Sequence, residues 1–103
     1  IPSSVKIIGN GVFYGCSSLA QISIPFSVRC IGNGAFYGCS SLEKISIPSS
    51  VTEIGYNAFY GCSSLEEISL PYFIALFKNS SNYGLASSTQ VTTHYSVISI
   101  III

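Results

Sequence analysis

Four cysteines are the residues in this chain best suited to chemistry, and three of them recur at a fixed interval. Cys16, Cys39 and Cys62 are equally spaced along the chain, and Cys30 lies outside that series. Zinc sites need closely spaced cysteine or histidine ligands, whereas these are far apart and the single histidine, His94, is isolated. We therefore predict no metal site and expect the regular three to form a column of buried structural thiols. Cys30 is expected to be partly exposed, and a reactive or intermolecular thiol stays open there as an alternative.

The sequence lacks most of the residues that acid–base and nucleophilic catalysis usually require. Asp is absent, so no aspartate is available to orient His94 in a catalytic triad. The Gly-x-Gly-x-x-x-Gly segments that begin at Gly9 and Gly32 have one residue too many for a dinucleotide-binding fingerprint. The many Ser-Ser pairs recur at equal offsets, which indicates turns rather than nucleophiles. We predict that the chain is not an enzyme and binds no cofactor.

Composition narrows the remaining function classes. The 103 residues are 49% hydrophobic and only 8% charged, with a formal net charge of zero. This hydrophobicity excludes a disordered chain, and the lack of positive charge argues against nucleic acid as a partner. The longest apolar run, residues 97–103, is shorter than the ~20 residues of a membrane-spanning helix. Its isoleucines favour a strand, although a span that continues in a longer chain stays open.

A 23-residue repeat organises the sequence. An apolar residue followed by proline recurs at this interval, at Ile1-Pro2, Ile24-Pro25, Ile47-Pro48 and Leu70-Pro71. Three copies, residues 1–23, 24–46 and 47–69, share one pattern: I-P-x-S-V-x-x-I-G-x-x-[AV]-F-Y-G-C-S-S-L-x-x-I-S, with few departures. Residues 70–92 form a degenerate fourth copy in which Tyr83 matches the repeated tyrosine, and residues 93–103 form a separate β-prone tail.

The repeat predicts stacked coils. Alternating apolar residues followed by proline predict strands at residues 19–24, 42–47 and 65–70, paired in parallel at an offset of one repeat. A second short extended piece, such as residues 51–54, follows each proline turn. Glycines such as Gly11 and Gly34 supply a positive φ at the next corner, and residues 58–62 form a single helical or 3₁₀ turn.

This pattern resembles the BspA-like class of leucine-rich repeats, in which a strand ending in Ile-Pro is followed by Ser-Val-x-x-Ile-Gly and then Ala-Phe-x-x-Cys-x-x-Leu. The resemblance is close over residues 1–69 and scattered over residues 70–92. It implies a leucine-rich-repeat solenoid: a right-handed coil with a parallel β-sheet on one face and short extended pieces and 3₁₀ or helical turns on the other.

The resemblance also implies protein binding rather than catalysis, because this family is associated with adhesion and host-protein binding at the cell surface. We therefore expect a protein partner and a cell-surface or secreted location. Two alternatives stay open. One is a cytoplasmic or nuclear scaffold that binds and regulates an enzyme such as a protein phosphatase, and the other is a self-assembling structural repeat.

The expected binding surface is the concave sheet face. Ile22 and Ile24 point into the coil, so their neighbours in the strand point outward. The near-identical copies differ at positions 20, 21, 43, 44, 66 and 67 of this face. The candidate partner-binding residues are Gln21, Ser23, Glu43, Lys44, Ser46, Glu66, Glu67 and Ser69. A column of Tyr14, Tyr37 and Tyr60 offers a second surface, which we expect to cover the core rather than anchor a partner.

Two further features concern modification and self-association. Asn79 begins an N-x-S/T sequon and would carry a glycan if the protein were secreted by a eukaryote. Neither end of the repeat array shows a polar cap, so we expect self-association through the uncapped ends, with residues 97–103 as an aggregation-prone strand.

Overall fold

Each 23-residue repeat forms one coil, and the coils stack so that equivalent residues lie over one another. The computed structural model describes residues 1–77 and 80–94. The described strands are β1 (Ile7–Ile8), β2 (Cys30–Ile31), β3 (Lys44–Ser46), β4 (Glu53–Ile54), β5 (Glu67–Pro71) and β6 (Gln90–His94). A helix, α1 (Tyr72–Phe77), and a 3₁₀ turn (Ser80–Tyr83) lie between β5 and β6. Asn79 and residues 97–103 lie outside the described residues, so the glycosylation and tail predictions stay predictions.

The strands form two parallel sheets on different sides of the coil. A short sheet has the order β1-β2-β4, and a long sheet has the order β3-β5-β6. In the long sheet Glu67 pairs with Lys44 on one side and with Gln90 on the other, each at an offset of one repeat. The same offset joins Cys30 to Glu53 in the short sheet. The predicted solenoid is therefore confirmed as a parallel-strand β-solenoid of about four turns.

The first coil departs from the predicted strands. Residues 19–24 form no strand, and one long backbone hydrogen bond, from the Glu43 N–H to the Ala20 carbonyl at 3.4 Å, joins them to the next coil. One contact of that length does not make a ladder, so the long sheet begins at β3. The extended pieces that follow each proline turn pair into a sheet of their own, which the sequence pattern did not specify.

Ladders of identical side chains build the core. The Phe36 ring stacks between Phe13 and Phe59, with centroid distances of 5.2 and 5.5 Å and nearly parallel planes. Leu42 and Leu65 repeat the same arrangement beside them, and both are buried. A single coil has no apolar partner for these side chains, so the stability of the array comes from stacking between coils.

The corner after each short-sheet strand needs a left-handed backbone. Gly11 and Gly34 have φ values of 64° and 60°, and Asn57 takes the same place in the third coil with φ 53°. Asparagine tolerates this conformation better than most residues, so the third coil keeps the corner without glycine. Hydrogen bonds between residues three apart, such as Tyr37 N–H to the Gly34 carbonyl at 3.0 Å, give the turn the predicted 3₁₀ character.

The fourth coil replaces a turn and a strand with helix. Helix α1 begins directly after Pro71, where the other coils have a serine turn and a short-sheet strand. Tyr83 is buried, and its carbonyl accepts the Phe59 N–H at 2.9 Å, as Ala58 accepts that of Phe36. The match of Tyr83 to the repeated tyrosine is therefore wrong: the altered path brings it inward to cover the third coil.

His94 compensates for a hydrogen bond that Pro71 cannot make. In the parallel ladder the Ile47 N–H donates to the Ser69 carbonyl at 2.8 Å, and the residue that would return a bond to the Ile47 carbonyl is position 71, a proline without an N–H. His94 Nε2 lies 2.6 Å from that carbonyl oxygen, so Nε2 carries the proton. This contact ties β6 to a coil two turns away.

The cysteine column is buried in its last two members. The Cys39 thiol donates to the Phe13 carbonyl at 3.2 Å, and the Cys62 thiol to the Phe36 carbonyl at 3.1 Å. Burial, and then the neighbouring cysteine, raises the pKa of Cys39, and the same causes raise the pKa of Cys62 to about 12. Cys16 is only half-buried because a coil covers it on one side alone, so the prediction of a fully buried column is wrong for Cys16.

We expect Cys30 to be alkylated before Cys39 and Cys62 in the folded protein, by about tenfold or more in rate, because the thiolate is the reactive form. Cys30 is half-buried at the surface of the short sheet, with Sγ 4.0 Å from Glu53 Oε2, whereas burial keeps the other two protonated. Timed iodoacetamide labelling followed by peptide mass spectrometry measures the order, with the denatured chain as control. Labelling of Cys62 as fast as Cys30 would contradict its burial.

Candidate functional site

Two columns of polar side chains cross the outer face of the long sheet. They arise because inward-facing Ile45 and Ile68 alternate with outward-facing neighbours, and the register of one repeat places those neighbours side by side. One column contains Lys44, Glu67 and Gln90, and the other contains Ser46, Ser69 and Thr92.

The structure brings the predicted face residues of the second and third coils together. Six of the eight candidates are exposed and two are half-buried; the exposed ones are Gln21, Ser23, Glu43, Lys44, Ser46 and Glu66, and the half-buried ones are Glu67 and Ser69. Gln21 and Ser23 lie in the first coil, outside the long sheet, so they continue the surface without belonging to its hydrogen-bonded ladder.

Charge on this face is mixed but mainly negative. Lys44 stands beside Glu67 in the neighbouring strand, an opposite-charge pair across the ladder. The Glu66 N–H donates to the Glu43 carbonyl at 2.9 Å, so these two carboxylates occupy successive coils just before the strands. Glu43, Glu66 and Gln90 line a shallow groove of about 380 Å³. A basic or mixed-charge surface would complement this arrangement.

Two residues of this face were missed by the sequence analysis. Gln90 and Thr92 extend the columns into the fourth coil, where β6 pairs with β5. The signal was available in the sequence, because an offset of one repeat from Glu67 and Ser69 leads to both. The degenerate pattern of that copy concealed it.

The tyrosine column is exposed at both ends and half-buried at Tyr37 in the middle, contrary to the expected role as a cover for the core. Tyr14 is 63% exposed and Tyr60 is 51% exposed, while the core beneath is filled by the phenylalanine ladder. The tyrosines therefore form a second candidate surface, on the turn that leads from the short sheet to the next strand of the long sheet.

The groups considered for catalysis or metal binding are dispersed. His94 contacts a backbone carbonyl, and the four glutamates lie at the surface with different degrees of exposure. Among residues 1–77 and 80–94, no group of three His, Cys, Asp or Glu side chains is placed to hold a metal ion. In the same part of the chain, no helix has the length and apolar character needed to cross a membrane.

The sequence matches the profile of a known repeat family. The family described as "BspA type Leucine rich repeat region (6 copies)" matches residues 1–101. The chain belongs to this family. The match continues beyond residue 92, where we place the end of the repeats, and that boundary stays a prediction.

Two crystal structures of leucine-rich-repeat proteins share the fold. A protein from Bacteroides ovatus is 30% identical, with a TM-score of 0.67 over 85% of this chain and 28% of its own. The Treponema pallidum protein TpLRR ("T. pallidum Leucine Rich Repeat protein") is 29% identical, with a TM-score of 0.65 over 92% of this chain and 47% of its own. The chain thus spans less than half the length of either protein. No curated protein sequence matches it. Leucine-rich repeats generally serve protein interaction.

Proposed function

We propose that this BspA-type chain binds a protein partner through the outer face of the long sheet, as part of a cell-surface or secreted protein that adheres to host proteins. The face is defined by Gln21, Ser23, Glu43, Lys44, Ser46, Glu66, Glu67, Ser69, Gln90 and Thr92. Its extended, solvent-facing form suits a macromolecular contact that spans several coils.

One observation carries the proposal: a position that varies between near-identical repeats projects side by side from one sheet. Lys44, Glu67 and Gln90 are positive, negative and neutral in successive strands, while the adjacent column of Ser46, Ser69 and Thr92 is uncharged throughout. The shared scaffold sets the spacing, and the variable column provides a pattern of charge that one partner can match better than another.

A paired charge exchange tests the face. Exchanging Lys44→Glu with Glu67→Lys keeps the net charge and an opposite-charge pair, but reverses the pattern presented to a partner. We expect this variant to bind about tenfold more weakly than the native chain to those host-surface or extracellular-matrix proteins that the native chain binds. Biolayer interferometry against a panel of such proteins at fixed ionic strength measures the dissociation constants.

The control makes the same exchange elsewhere. Arg29→Glu with Glu53→Arg also preserves net charge, and both residues are exposed on or beside the short sheet. We expect this variant to bind like the native chain. Equal losses in both variants would point to a general effect of surface charge, and a loss in the control alone would move the binding surface to the short sheet.

The proposed location is tested separately. Protease shaving of intact cells, followed by mass spectrometry, should release peptides from this region of the full-length protein. Recovery of the protein only from the cytosolic fraction would instead favour an intracellular scaffold.

A further inference from the structure

The tyrosine ladder, defined as Tyr14, Tyr37 and Tyr60, is a regular surface feature of the described residues. Tyr14 and Tyr60 are exposed, and Tyr37, which is stacked between them, is half-buried. Adjacent ring centroids are 4.8 and 5.0 Å apart, and the ring planes differ by 8° and 30°. The backbone holds this spacing, because Gly15 N–H donates to the Tyr37 carbonyl and Gly38 N–H to the Tyr60 carbonyl, each at 2.7 Å. The ladder is therefore a preformed strip and needs little ordering on binding.

The chain segments that carry the ladder have small residues after the rings and no charge. Each tyrosine is followed by a glycine with a positive φ, at Gly15, Gly38 and Gly61, so no side chain rises beside the rings there. The residues on either side along the chain are glycine, apolar residues, asparagine, cysteine and serine, and none is charged. Ring edges and hydroxyl groups are thus offered together, as in the aromatic centres of many protein interfaces.

We propose that the tyrosine ladder is a contact surface for a second copy of this chain. The ring spacing follows the distance between stacked strands, about 4.8 Å. A partner whose side chains have a different spacing can align with one ring but not with the next. A second copy presents its own tyrosines at the same spacing and can align with all of them. The same contact is then made on every coil.

Electrostatics and symmetry agree with this partner. A twofold contact places equivalent residues of the two copies together, so a charged patch would face its own charge, and the uncharged ladder avoids that repulsion. Whether the two solenoids run in the same or opposite directions, Tyr37 is the central member and faces Tyr37 of the second copy. Such a contact is isologous and closes at the dimer.

The size of the ladder sets the strength of the contact. Tyr14 and Tyr60 each offer on the order of 100 Å², and the half-buried Tyr37 offers less. The three rings and their small neighbours fall short of the roughly 1,200–2,000 Å² of a stable interface, so the dimer is weak and forms at high local concentration. The outer face of the long sheet stays free, so a dimer would present two copies of the proposed binding face and gain avidity. That gain rests on the proposed function, and the dimer itself does not.

Sedimentation velocity over a wide concentration range tests the contact. We expect the native chain to show a monomer–dimer equilibrium without larger species, and Tyr37→Ser to raise the dissociation constant about tenfold or more, since the substitution removes both central rings. Tyr56→Ser is the control, because it removes a tyrosine that is 64% exposed and lies outside the ladder. A native chain that stays monomeric, a control that weakens the dimer equally, or growth beyond dimers would each overturn the proposal, and growth would favour association through the ends.

Cross-linking provides a second measurement that does not depend on how Tyr37→Ser folds. Under copper–phenanthroline oxidation in air, Tyr37→Cys should form a disulfide-linked dimer, whereas Tyr56→Cys should form no more than the native chain with its surface Cys30. Circular dichroism checks that both variants are folded. Equal cross-linking of the two variants would overturn the placement of Tyr37 at the centre of the contact.

Discussion

Replacing Phe36 by alanine is expected to lower the free energy of unfolding by about 3–5 kcal/mol. Phe36 has no exposed surface, and it is the central ring of its ladder, with Phe13 and Phe59 stacked at 5.2 and 5.5 Å. Removal of the ring leaves a cavity bounded by two other coils, and their hydrogen-bonded backbones limit how far they can collapse into it. Urea unfolding followed by circular dichroism measures the change.

Two comparisons make this result specific to the stacked core. Leu42→Ala, also fully buried, should cost about 2–5 kcal/mol, while Ser46→Ala on the outer face of the long sheet should stay within about 0.5 kcal/mol. Should Phe36→Ala leave no folded baseline, the milder Phe36→Leu provides a measurable loss at the same site. Equal shifts of the unfolding midpoint for all three alanine variants would contradict the assigned inward and outward faces.

Gly55→Ala is expected to destabilise the fold by about 3 kcal/mol, at the upper end of the cost of overpacking. A Cβ at Gly55 would lie 2.5 Å from the carbonyl carbon of Gly32 and 2.5 Å from Asn33 Oδ1. That oxygen also accepts the Tyr56 N–H at 2.8 Å, so the clash falls on backbone and on a hydrogen bond between coils. Relief requires the second and third coils to separate.

Gly15→Ala is the matched comparison because its cost has a different origin. Gly15 has φ 72°, and an added Cβ would meet nothing within 4 Å. Backbone strain alone should cost about 1–2 kcal/mol. Thermal unfolding of both variants ranks them, and a Gly15→Ala variant less stable than Gly55→Ala would mean that local strain, rather than the approach of neighbouring coils, governs the glycine positions.

The sequence alone determined the coil and its register. The repeat length is constant, and Phe, Cys, Leu and Pro keep fixed positions within it. Stacking at an offset of one repeat places each apolar side chain against the equivalent side chain of the next coil. The pairing of Lys44 with Glu67 has this offset. The outward columns of the long sheet follow from the same periodicity, because alternation within a strand assigns each side chain to a face.

The tertiary structure decided the features that depend on contacts between coils rather than on the repeat pattern of the sequence. The extended pieces around Ile8 and Ile31 pair only because stacking brings them to hydrogen-bonding distance. Residues 19–24 have the same sequence pattern as the strands of the long sheet, but a single long hydrogen bond joins them to the next coil, so they form no ladder. The repeat pattern also did not determine exposure: Tyr60 and Tyr83 are one repeat apart in the sequence, yet Tyr60 faces solvent and Tyr83 is buried by the altered fourth coil. Burial is a property of what packs against a residue, and a periodic sequence does not specify where its last copies depart from the common path.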